Sequence, residues 1–93
     1  MKRPLLRSSA FVRASKRLVK SRSGAAQRLR SALVLLGEDA FNPQLRTHKL
    51  TGDLTGSWAC SIAYDLRIVF QIVQHEGKEA ILLQSVGTHD EVY

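Results

Sequence analysis

Four side chains that could do chemistry stand at the ends of predicted elements rather than inside periodic stretches. They are two imidazoles, a carboxylate and a guanidinium: His48, Asp65, Arg67 and His89. Histidine can accept or donate a proton because its imidazole titrates near neutral pH. The planar guanidinium of arginine can donate two parallel hydrogen bonds to the oxygens of a phosphate. Metal-free RNA cleavage needs such a set: a base for the 2′-hydroxyl proton, a cation for the phosphate and an acid for the departing 5′-oxygen.

The predicted strand order brings part of this set to one rim of a sheet. Asp65 and Arg67 flank a tight turn between two predicted strands, and His89 follows the last strand. In an antiparallel meander, that turn and the end of the last strand lie on the same rim. We therefore expect Asp65, Arg67 and His89 to converge.

Each of these residues also has an ordinary structural interpretation. A single histidine near a strand end is often just a surface residue. Asp65 can cap its own turn, with Arg67 as its ion-pair partner. His75 lies in a polar hairpin turn, where exposure without function is the expected state.

Length and composition limit the possibilities further. The chain has 93 residues, enough for one hydrophobic core, so residues 1–93 are predicted to form a single domain. The single cysteine, Cys60, excludes an intrachain disulfide and a cysteine-based zinc site and favours a reducing compartment. The longest apolar runs, such as residues 32–36, are far shorter than the roughly 20 residues of a membrane span. No membrane association is predicted.

The positive charge is concentrated in the first third of the chain. Residues 1–30 carry ten Lys or Arg and no acid, whereas residues 31–93 carry four basic and eight acidic side chains, so +10 and −4 give the formal +6. Such a field attracts polyanions and favours nucleic acid as a partner. A solvated basic face without a partner and a cleaved transit peptide are the alternatives. The transit peptide is disfavoured because the core needs the apolar positions of this segment.

The hydrophobic pattern predicts a strand over residues 3–8, followed by two antiparallel helices. The first helix has Ser9 as its N-cap, and the second covers Ala25–Leu36 and stops at Gly37.

Three strands then follow, predicted over residues 58–64, 67–73 and 79–86. In the first of them, Tyr64 continues the apolar face of Trp58 and Ile62. Two amphipathic helices can bury their apolar faces only by packing on one face of such a sheet. The expected fold is α+β with two layers: an N-terminal strand and two helices packed on one face of a mainly antiparallel sheet.

Three phrases in this order resemble a known family. They are HKLTGDLTGSW (48–58), YDLRIVF (64–70) and GTHDEVY (87–93). With them the chain resembles the RelE/ParE superfamily of bacterial toxins, and it is most similar to the RelE/YafQ-type mRNA interferases of type II toxin–antitoxin systems. The resemblance covers essentially the whole chain and implies the same two-layer fold.

The resemblance implies an endoribonuclease of the bacterial cytoplasm that uses no metal or other cofactor. It would cut mRNA, commonly in the ribosomal A site, through attack of the 2′-hydroxyl on the adjacent phosphate. Its partners would be the mRNA, the ribosome and a cognate antitoxin whose acidic segment neutralises the toxin. The basic first helix would dock that antitoxin or ribosomal RNA.

By motif match, the resemblance implies His48 as general base and His89 as general acid, with the reverse assignment open. Arg67 falls where related toxins hold the phosphate, and Asp65 falls where the YafQ type has a functional Asp. Implied substrate-binding residues are Arg46, Lys49 and Tyr93.

Two other functions remain open. The ParE branch of the superfamily poisons DNA gyrase, and a non-catalytic basic RNA-binding module would need no proton-transfer groups. The two imidazoles together with the guanidinium favour the nuclease.

Overall fold

A five-stranded sheet with two helices on one face forms the core of the computed structural model, which describes residues 2–93. The elements, in chain order, are β1 (Leu5–Arg7), α1 (Ser9–Ser21), α2 (Ala25–Glu38), β2 (His48–Lys49), β3 (Trp58–Ala63), β4 (Leu66–His75), β5 (Lys78–Thr88) and α3 (His89–Val92), with short 3₁₀ turns at Pro43–Leu45 and Gly52–Leu54. The strand order is β1-β5-β4-β3-β2. Among the strands of residues 2–93, only β1 and β5 run parallel to each other. The predicted two-layer α+β fold is confirmed.

The two long helices bury apolar stripes against the sheet, but the N-cap of α1 differs from its prediction by one residue and the end of α2 by two. Ser8, rather than Ser9, caps α1, because its hydroxyl oxygen accepts a hydrogen bond from the Phe11 N–H at 3.1 Å. Helix α2 continues through Gly37 to Glu38. The Gly37 carbonyl accepts a hydrogen bond from the Arg3 N–H at 2.8 Å, so this glycine lies where the N-terminal segment approaches the helix.

Strand β4 lies at the centre of the sheet, as its nearly continuous apolar sequence predicts. The β4–β5 hairpin turns at Glu76 and Gly77, which both have positive φ, as two-residue hairpin loops require. The prediction for Tyr64 was wrong. Strand β3 ends at Ala63, and Tyr64 lies in the turn with its surface 97% exposed.

The sheet has a helix-covered face and an opposite face. Cys60, Ile68 and Phe70 belong to the core cluster that also contains the buried residues of α1 and α2. Because successive strand residues point to opposite faces, their neighbours Ala59, Ser61 and Arg67 belong to the other face. Within residues 2–93, no helix is long and apolar enough to cross a membrane.

Candidate active site

Strand register places His48 and Arg67 on the face of the sheet opposite the helices. His48 pairs with Ala59, and Arg67 pairs with Ser61, two residues further along β3. With strands about 4.8 Å apart and a rise of about 3.4 Å per residue, the Cα atoms of His48 and Arg67 lie about 12 Å apart. Two long side chains at this separation can reach a single phosphate group and its ribose.

A cavity of about 610 Å³ opens beside the β3–β4 turn. Its polar lining comes from three separate stretches of the chain and includes Gln44, Arg46, Ser61, Asp65, Arg67 and His89. The structure thus brings Asp65, Arg67 and His89 together, as the strand order predicts. Arg46 joins them, while His48, Lys49 and Tyr93 lie outside the lining.

The half-buried Arg67 side chain holds the β3–β4 turn through one of its nitrogen atoms. Its Nη1 donates hydrogen bonds to the carbonyl oxygens of Ala63, Tyr64 and Leu66, at 3.2–3.3 Å. Within residues 2–93, Nε and Nη2 of Arg67 make no hydrogen bond. The guanidinium is therefore fixed at one corner and keeps donors for an anion in the cavity.

Asp65 is paired with a residue that the sequence patterns did not single out. The Arg22 guanidinium, just after α1, donates to both Asp65 carboxylate oxygens at 2.9 and 3.0 Å. These hydrogen bonds are the main reason that the pKa of Asp65 lies below its usual value. The structural alternative for Asp65, an ion pair with Arg67, is not what forms, because Arg22 takes both carboxylate oxygens. Arg22 lies 43 residues away in sequence, and no local pattern signals such a contact.

The last element, α3, positions His89 and Tyr93. The His89 ring meets the Tyr93 ring edge-on, with centroids 4.5 Å apart and planes at 85°. The helix begins with a capping box, in which the Glu91 carboxylate accepts a hydrogen bond from the Thr88 N–H at 2.7 Å. This bond is the main reason that the pKa of Glu91 is lowered.

Gly87 allows the Glu91 side chain to fold back over the chain. A Cβ atom at position 87 would lie 2.8 Å from Glu91 Oε1 and 3.1 Å from Glu91 Cβ. Gly87→Ala should therefore disrupt the capping box and lower the free energy of unfolding by about 1 kcal/mol, as the loss of a cap does. Urea denaturation of the purified variant measures this change.

A double variant tests the cause of that loss. If displacement of Glu91 explains it, Gly87→Ala should cost much less when added to Glu91→Ala than when made alone. Additive losses would show that the capping box is not what the glycine protects.

His48 lies next to the cavity through its contact with Arg46. The His48 Nδ1 is 3.0 Å from the Arg46 carbonyl oxygen. Because a carbonyl can only accept, Nδ1 carries the proton in this bond, and Nε2 of the neutral ring is a bare acceptor. Such a nitrogen can take a proton from a substrate hydroxyl. Lys49, the next residue of β2, points to the opposite face of the sheet from His48. Its ammonium lies 5.5 Å from the centroid of the Trp58 ring.

Within residues 2–93, no group of three or more His, Cys, Asp or Glu side chains is arranged to hold a metal ion. Cys60 is buried, and burial raises the pKa of its thiol to about 12, so it is an unreactive residue of the core.

Comparison with known proteins identifies the fold and the family. A family model described as "Bacterial toxin of type II toxin-antitoxin system, YafQ" matches residues 3–93. No curated protein matches the chain significantly.

Solved structures share the fold. The crystal structure of YafQ from E. coli is 15% identical, with a TM-score of 0.81 and 99% of each chain covered. YafQ in the E. coli DinJ–YafQ toxin–antitoxin complex is 16% identical over 100% of this chain and 99% of that one, with a TM-score of 0.79. A metal-bound toxin from Helicobacter pylori is 28% identical, with both chains fully covered and a TM-score of 0.78. Because the family model spans nearly all of the sequence, this chain belongs to the YafQ family of type II toxin–antitoxin toxins.

Proposed function

We propose that this protein is an endoribonuclease that cuts mRNA, in the ribosomal A site, without a metal ion. The observation that carries the proposal is the single cavity lined by Arg46, Arg67 and His89, with His48 bonded to Arg46 at its border. A cation with free donors and two imidazoles are the groups that attack by a 2′-hydroxyl requires.

In this mechanism, His48 Nε2 takes the proton from the 2′-hydroxyl as its oxygen attacks the adjacent phosphorus. The free donors of Arg67 bind the phosphate oxygens on which negative charge builds. Protonated His89 gives its proton to the departing 5′-oxygen, and the products are a 2′,3′-cyclic phosphate and a 5′-hydroxyl. The exposed His89 ring is open to solvent and can be reprotonated after each turnover.

Asp65 has a positioning role in this proposal rather than a proton-transfer role. Both of its oxygens accept hydrogen bonds from Arg22, and its lowered pKa keeps it ionised. A carboxylate held in this way is a weak base. Asp65 lies in the turn two residues before Arg67, so its bonds to Arg22 link the end of α1 to the residue that binds the phosphate.

Tyr93, Lys49 and Arg46 serve substrate binding. The Tyr93 ring packs on His89 and limits the orientations of the imidazole. Arg46 adds positive charge to the cavity itself, whereas Lys49 is an exposed cation outside its lining, with its ammonium over the Trp58 ring. These contacts support a role in holding the RNA backbone and not in the proton transfers.

The proposed partners are the ribosome with its mRNA, in the bacterial cytoplasm, and a cognate antitoxin. A related toxin has been crystallised with its antitoxin DinJ. In this chain, the ten basic residues within residues 1–30, on and around α1, would attract an acidic antitoxin segment as well as RNA.

A direct comparison of substrates tests the proposal. The purified chain is incubated with translating ribosomes and, separately, with DNA gyrase and supercoiled DNA. We expect new mRNA ends with cyclic phosphates at A-site positions and no effect on gyrase. Intact mRNA together with gyrase-dependent DNA breakage would instead support the activity of the ParE branch.

A further inference from the structure

Tyr64 is the most exposed large hydrophobic residue of residues 2–93, and it lines the same cavity as Arg67 and His89. Its surface is 97% exposed, so the ring contributes almost nothing to the core. Turns of this kind are usually built from Gly, Asn, Asp or Ser, which satisfy the backbone at lower cost. The fold therefore gives no reason for an aromatic ring at this position.

The turn that carries Tyr64 is held on both sides. Its own carbonyl oxygen accepts a hydrogen bond from Arg67 at 3.2 Å, and the neighbouring Asp65 is bound by Arg22 through two hydrogen bonds. The backbone beneath the ring is thus already ordered. A ligand that contacts the ring has to restrict only its two side-chain torsions, which lowers the entropic cost of binding.

The charges around the ring define what it can bind. Arg46, Arg67 and His89 line the cavity beside it, and the one acidic lining residue, Asp65, is neutralised by Arg22. A ligand here must offer an anionic backbone to the guanidinium groups and a flat surface to the phenol. Single-stranded nucleic acid offers both, because every base has a face that stacks on an aromatic ring.

We propose that Tyr64 is a stacking platform for a nucleobase of single-stranded RNA next to the scissile phosphate. This inference rests on the proposed nuclease function and adds a substrate-binding residue to it. The base stacks on the exposed ring, while its phosphate extends into the cavity toward Arg67. Tyr64 thus fixes which nucleotide stands beside the reacting groups.

Binding of two matched probes tests this role without any cleavage. One is a fluorescent 2′-O-methyl oligonucleotide of mixed sequence, which lacks the attacking hydroxyl. The other has the same length and backbone but abasic positions throughout. Tyr64→Ala should weaken binding of the first probe about 5- to 100-fold, the range for loss of one base–aromatic stack, and leave binding of the abasic probe unchanged.

Two further variants separate the ring from other effects. Tyr64→Phe should bind both probes within about threefold of the unmodified chain, because stacking needs the ring and not its hydroxyl. Val34→Ala, which removes exposed apolar surface from α2, should change neither affinity. Since Tyr64 is almost fully exposed, none of these variants should lower the unfolding temperature noticeably.

Equal losses on the two probes, or no loss on either, would overturn the stacking role. So would a Tyr64→Ala variant that binds both probes normally but fails to bind an antitoxin, since the ring would then serve a protein partner. Cleavage of mRNA by the unmodified chain is measured separately. If the unmodified chain cleaves mRNA but Tyr64→Ala binds both probes normally, the nuclease function stands and only the role of Tyr64 is rejected.

Discussion

Replacing His89 with alanine should reduce mRNA cleavage by about 10²-fold or more and abolish growth arrest in bacteria that express the variant. Loss of a proton-transfer residue typically has an effect of this size. The His89 side chain is 70% exposed, so its removal leaves no cavity in the core. The measurement is the rate at which new mRNA ends appear on translating ribosomes, with growth followed in parallel.

His75 provides the matched control. It is also a partly exposed histidine beside an acidic residue, but it is the last residue of β4, at the end of the strand far from the cavity and next to the hairpin turn. His75→Ala should leave cleavage and growth arrest unchanged. His89→Gln, which keeps a polar side chain but cannot transfer a proton, should be as inactive as His89→Ala. Growth arrest by His89→Ala equal to that of the unmodified chain would remove the proposed mechanism.

The fold could be predicted from the sequence because burial imposes periodicity. The stripe of Phe11, Ala14 and Leu18 in α1 and the continuous apolar run of β4 are consequences of facing one core. Strand β2 has only two residues, His48 and Lys49, which is too short to produce a periodic pattern. Helix α3 has four residues, and its main signal is the capping box of Thr88 and Glu91.

The candidate site could be predicted only in part. The meander explains why Arg67 and His89 share a rim, since both lie at the ends of adjacent strands. The Arg22–Asp65 pair joins residues 43 positions apart. Residues 1–30 contain ten Lys or Arg, and the sequence does not distinguish which of them pairs with Asp65. The alternating pattern of Trp58, Cys60 and Ile62 continues to Tyr64 in the sequence, but the strand ends at Ala63 and Tyr64 begins the turn. Contacts that depend on where a turn falls leave no periodic signal in the sequence.

Reversing the charges of the Arg22–Asp65 pair should first remove most of the activity and then restore part of it. Asp65→Arg alone places a third guanidinium beside Arg22 and Arg67, and repulsion should displace the β3–β4 turn. A displacement of about 1 Å in a group that binds substrate can reduce the rate about 10²-fold. Adding Arg22→Asp re-creates an opposite-charge pair and should recover at least about tenfold, measured as mRNA cleavage on ribosomes.

This double variant distinguishes positioning from proton transfer at Asp65. If the carboxylate itself moved a proton, the double variant, which has no carboxylate at position 65, would remain as inactive as Asp65→Arg. The unfolding temperatures of both variants should stay close to that of the unmodified chain, because an exposed ion pair contributes little to stability. Recovery of cleavage without a change in unfolding temperature would therefore show that the Arg22–Asp65 pair acts on the site through the orientation of the β3–β4 turn that precedes Arg67.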